Sequence, residues 1–92
     1  MVDIKRRDEG ALLGFDVVVR EGKGETKHRV TMAKAMYERL AGGRSAEQVI
    51  DAAFRFLLER EPKESILARF DVSVISRYFP EFERELPRYL KS

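Results

Sequence analysis

There is no cysteine in these 92 residues. That one absence removes disulfides, thiolate metal sites and a cysteine nucleophile together, and it fits a reducing compartment. Histidine is almost as scarce, with His28 alone between Lys27 and Arg29. Zinc therefore has too few of its usual ligands. A Ser-His-acid site would have to be built on His28, without a GxSxG elbow or a phosphate-binding glycine loop to help. We read His28 as an ordinary cross-strand or surface histidine. Glu59, Glu61 and Glu64, set beside Arg60 and Lys63, read as a solvated helix end and not as a catalytic carboxylate cluster. The expectation is a protein that is not an enzyme, with no cofactor and no metal.

Long apolar runs are missing too. None approaches the roughly 20 residues that span a bilayer. Lys5-Arg6-Arg7 leads straight into Asp8-Glu9-Gly10, where a signal peptide would turn apolar. A cytoplasmic protein with no membrane partner is expected. Nor is one sign of charge dominant: 18 Lys and Arg face 16 Asp and Glu, for a net charge of +2. The balance holds along the chain, at 7 against 6 in residues 1–31, 5 against 5 in 32–61 and 6 against 5 in 62–92. Phosphate binding needs positive charge concentrated on one face, so a mixed, solvated surface is the reading here and nucleic acid is disfavoured as a partner. No internal repeat or low-complexity tract appears.

What is present describes one α+β domain, a size at which folding buries about 60–65% of the unfolded chain's surface. Residues 1–10 read as a flexible polar lead, and 11–92 as the domain. In GFDVVVR, Phe15, Val17 and Val19 alternate with Asp16, Val18 and Arg20, the pattern of a strand with one apolar face. EGKGE supplies a loop of four or five residues, and TKHRVT resumes a strand, so the two form a hairpin. A lone hairpin is marginal in water, and its apolar face must rest on helices.

The first helix is predicted to start after Thr31 as N-cap, with Ala33, Met36, Tyr37 and Leu40 as its apolar stripe and Gly42-Gly43 as its end. The second, from Ser45 to Arg60, opens on a capping box formed by Ser45 and Gln48. It is apolar around most of its circumference through Val49, Ile50, Ala52, Ala53, Phe54, Phe56, Leu57 and Leu58. Only Asp51, Arg55 and Glu59 mark a water-facing stripe, at the spacing that allows ion pairing. So wide an apolar arc makes this helix the buried centre of the fold. Pro62 ends it. Ile66, Leu67 and Phe70 predict a short third helix. Asp71 caps a fourth with Ile75, Tyr78 and Phe79 on one side, although the β-branched residues Val72, Val74 and Ile75 leave a strand over 72–79 open. Phe82, Leu86, Tyr89 and Leu90 repeat at helical spacing in a last segment, which Pro87 is expected to kink or break. The predicted architecture is an N-terminal β-hairpin packed against a bundle of about four helices around a central buried one.

The segment PKESILARFDVSVISRYFPEF has the cadence of a helix-turn-helix. Its spacing departs from that motif, because Val72-Ser73 runs directly into Val74-Ile75-Ser76-Arg77 without the spacer that sets a recognition helix. Asp71 stands where glycine is usual, and Glu81, Glu83 and Glu85 would repel a phosphate backbone. A nucleic-acid-binding regulator using Arg69 and Arg77 is therefore the alternative reading. The preferred one is a protein-interaction module, self-association included, because five of the nine aromatics, Phe70, Tyr78, Phe79, Phe82 and Tyr89, crowd short proline-punctuated segments. Most of them are expected to clamp the central helix. An uncovered remnant of Tyr78, Phe79, Phe82 and Tyr89 would form a binding surface for a protein partner.

FLLEREPKESIL, from Phe56, and FDVSVISRYFPEFE, from Phe70, carry a resemblance. With them, and with HRVTM at His28 to Met32, the chain is similar over nearly its whole length to a small family of uncharacterised bacterial proteins of about this size, mainly proteobacterial. The resemblance implies no activity and no functional residue.

Overall fold

Two strands of ten residues dominate the computed structural model, which describes residues 1–91. β2 (Leu12–Glu21) and β3 (Gly24–Ala33) pair antiparallel, from Leu12 opposite Ala33 to Glu21 opposite Gly24. The turn between them is only Gly22 and Lys23, tighter than the expected loop. Gly22 has φ +65° and Lys23 does not share the positive φ, as a type II′ turn requires. Alternation then sorts the faces. Leu13, Phe15, Val17 and Val19 point into the core with His28, Val30 and Met32, while Asp16 and Arg29 sit opposite one another on the other side.

The hairpin is not alone. Residues 2–6, expected as part of a flexible lead, form β1 (Val2–Arg6), antiparallel to β2, with Val2 opposite Val19 and Ile4 opposite Val17. Two apolar residues among charges are a weak signal by themselves, and it is β2 that supplies the backbone partners and the surface on which Val2 and Ile4 rest. At the other edge β4 (Arg69–Asp71) runs parallel to β3, Val30 opposite Phe70. The sheet order is thus β1-β2-β3-β4. A parallel neighbour needs a crossover, and here it is made by α1 (Lys34–Ala41) and α2 (Ala46–Leu58).

α1 begins later than predicted because Thr31 is a strand residue whose hydroxyl donates to the Asp71 carboxylate at 2.6 Å, tying β3 to β4. Gly42 ends the helix in the left-handed conformation at φ +55°. α2 carries both bonds of its capping box: the Gln48 amide donates to Ser45 Oγ at 3.1 Å and the Ser45 amide to Gln48 Oε1 at 2.8 Å. Val49, Ile50, Ala52, Ala53, Phe54, Phe56 and Leu57 are all buried. On its wet stripe Arg55 pairs with Asp51 at 2.9 Å. Phe54 meets the sheet through His28 and Phe70, with ring centroids 5.4 and 6.0 Å away. Phe56 turns towards the C-terminal helix.

The predicted third helix is absent. Lys63–Ser65 makes a single 3-10 turn, and the chain then extends through 66–68 into β4. The Arg29 amide, on the edge of β3, bonds the Ala68 carbonyl at 2.7 Å, and this pairing outweighs the weak helical spacing of Ile66, Leu67 and Phe70. After β4, the Asp71 side chain accepts from the Ser73 amide at 3.1 Å and starts a 3-10 turn, Val72–Val74, that leads into α3 (Ile75–Tyr78). Residues 72–78 are therefore helical and not strand. α4 (Phe82–Leu90) continues through Pro87 without a break. The proline forfeits one amide donor, but Phe82, Leu86 and Tyr89 are buried on the same helix and hold it in place.

Candidate docking groove

The four aromatics expected to share one surface part company. Phe82 is fully buried, and Tyr89 is 7% exposed. Both pack edge-on against Phe56, at centroid distances of 5.1 and 5.8 Å. The Tyr89 hydroxyl donates to Glu59 at 2.7 Å and accepts from Arg60 at 3.3 Å, and the Arg60 guanidinium lies 3.6 Å above the Phe56 ring. Phe82 and Tyr89 are thus core, and helical spacing could not say which side of α4 would find α2. Phe79 is partly buried, edge-on to Phe56 at 5.9 Å. Tyr78 is 68% exposed.

Tyr78 and Phe79 line a groove of about 340 Å³ between the C-terminal end of α2 and α3, together with Leu57, Ile66, Leu67, Phe70, Val74 and Ile75. Glu61 and Ser65 are its polar lining. Leu67, 48% exposed, belongs to the stretch where the spacing predicts a third helix that does not form, and it makes a rim of the groove. Full burial of an exposed side chain of this size is worth about 1.5–3 kcal/mol, and Leu67, already half covered, has roughly half of that left to gain from contact.

The groove is braced from behind by His28. Its Nδ1 lies 2.7 Å from the Leu67 carbonyl oxygen and its Nε2 lies 2.8 Å from Thr26 Oγ1. The carbonyl can only accept, so Nδ1 carries the proton that it receives. Both ring nitrogens are engaged and the ring is buried on Phe54. The single histidine is a brace for the rim loop, buried where the sequence left a surface position open.

Charge around the groove is uneven. Lys63 Nζ sits 2.8 Å from Glu64, and that hydrogen bond holds the Glu64 carboxyl below the usual carboxylate range. Glu61 has no ion-pair partner among the described residues. It stands three residues past Leu58, the last residue of α2. Residues 66–79 hold a strand and a four-residue helix where a helix-turn-helix needs two helices. On the sheet's uncovered face, Lys5, Asp16, Arg29 and Arg69 form one cross-strand row. Asp16 pairs there with Arg7 at 3.0 Å and with Arg29 at 3.3 Å. No group of three or more metal-binding side chains assembles among the described residues, and no described helix is long and apolar enough to cross a membrane.

No protein-family model, curated protein or solved structure matches this chain.

Proposed function

We propose that this is a non-enzymatic, cytoplasmic protein-interaction module whose binding surface is the groove between α2 and α3. The observation that carries the reading is the pairing of Leu67 and Tyr78, two large exposed apolar residues on the rim of one apolar cleft. An aromatic beside a pocket is the composition that interface anchors favour. The nucleic-acid alternative rested on a helix entering a groove and on cations gathered on one face. A four-residue α3 does not supply the helix. On the open sheet face Arg7 and Arg29 are already paired with Asp16 and Glu9, which leaves, among the described residues, Lys5 and Arg69 as the unneutralised cations of that row.

Site-specific photo-crosslinking in the native host tests the proposal. A crosslinking residue at Tyr78 should give a discrete protein adduct that one at Lys23, on the hairpin turn, does not give. Leu67→Asp should remove the adduct while the fold is retained. Identical adducts from both positions, or none from Tyr78, would overturn it.

A further inference from the structure

We infer that the groove selects a short peptide segment bearing apolar anchors next to a lysine or arginine, with Glu61 as the selecting residue. The inference rests on the docking reading above and deepens it.

Size argues for a short segment. A cavity of about 150 Å³ accommodates one benzene ring, so 340 Å³ admits about two anchor side chains. A folded partner or a second copy in a stable complex covers about 800 Å² per side, roughly a seventh of this chain's 5504 Å². Among the described residues the large exposed hydrophobics are Met1, Leu12, Leu67 and Tyr78, and only the last two border the groove. The exposed apolar surface around the groove is therefore that of the cleft and its two rim residues, the footprint of a few residues.

Charge argues for a base beside the anchors. Glu61 is the one carboxylate lining the groove, it is partly buried, and no described cation forms an ion pair with it. Its neighbour Glu64 is already neutralised by Lys63. The Leu57 carbonyl in the last turn of α2 already accepts the amides of Arg60 and Glu61 at 2.9 Å, so the charge at this wall of the groove is that of the Glu61 carboxylate. Glu61 thus places a negative charge on the wall of an otherwise apolar slot. An acidic segment would meet repulsion there, and a neutral one would leave Glu61 desolvated without compensation.

Three capped decapeptides, each with the same Leu-Leu-Phe anchor run flanked by Lys, Gln or Glu, separate the possibilities. Binding is read from amide chemical shifts of the intact protein. The lysine peptide should shift the Leu67 and Tyr78 amides and bind about fivefold tighter than the glutamine peptide, with the glutamate peptide weakest. The preference should shrink as salt rises. Glu61→Gln should equalise the lysine and glutamine peptides without weakening the latter. Equal affinities at the groove for all three overturn the selection by Glu61 and leave the docking reading standing. Failure of every peptide to shift the groove amides overturns both. Salt dependence on the unaltered protein decides the matter even if the variant folds poorly.

Discussion

Arg29 lies across Gly14. A β-carbon built on Gly14 would come within 2.5 Å of a guanidinium nitrogen of Arg29 and would overlap the Arg7 carbonyl oxygen. The space left by the missing side chain is where Arg29, itself buried, reaches the Arg7 carbonyl, the Glu9 carboxylate at 2.6 Å and Asp16 at 3.3 Å. One arginine from β3 thus clamps the connection between β1 and β2, and glycine is what lets it through.

Gly14→Ala is accordingly expected to destabilise the fold by about 1–3 kcal/mol, the usual cost of overpacking. Arg29→Ala should not rescue it, because the backbone oxygen of Arg7 still meets the new methyl group. Chemical denaturation of the two single variants and the double variant checks this. Full recovery in the double variant would show that the side chain, and not the backbone approach, sets the constraint.

The division of the C-terminal aromatics is testable in the same way. Phe82→Ala opens a cavity beside Phe56 and should cost about 3–5 kcal/mol. Tyr78→Ala, at a site 68% exposed, should change stability by no more than about 0.5 kcal/mol. Comparable losses from the two would refute the separation of core from rim.

Acid should loosen the β1–β2 connection through Asp8. The Arg6 side chain, first, and the Gly14 amide hydrogen-bond its carboxylate and hold its pKa below the usual aspartate range. A depressed folded pKa favours the charged form, so the contribution is complete above the unfolded value of about 4 and is lost as pH falls through the lower folded value. Asp8→Asn should flatten the dependence of stability on pH below about pH 4. Urea midpoints measured from about pH 5 down to about pH 2 decide it, and parallel curves for the two proteins would count against it.

Local signals read well where a structure is determined by near neighbours in the chain. The Ser45–Gln48 capping box, the glycine end of α1 and the alternation of Phe15, Val17 and Val19 each involve residues a few positions apart. The groove was legible only in part. Tyr78 and Phe79 were singled out by aromatic density, whereas Leu67 and Glu61 were not. Leu67 reached the rim because His28, 39 residues away, holds its carbonyl, and no pattern in the neighbourhood of Leu67 encodes that bond.

The remaining outcomes were settled by pairing at a distance. Val2 and Ile4 are too few to announce a strand until β2 offers them hydrogen-bond partners and a surface. Ile66, Leu67 and Phe70 keep a helical spacing, yet the edge of β3 takes this stretch as extended chain and a parallel strand. Amphipathicity marked α2 as the centre of the molecule, since a helix apolar on several sides must be enclosed whatever encloses it. Which rings enclose it, and which are left facing water, depends on how distant segments divide its circumference. Periodicity is a property of one segment and can be read from the chain. Division of a shared surface is a property of several segments together, and only their packing decides it.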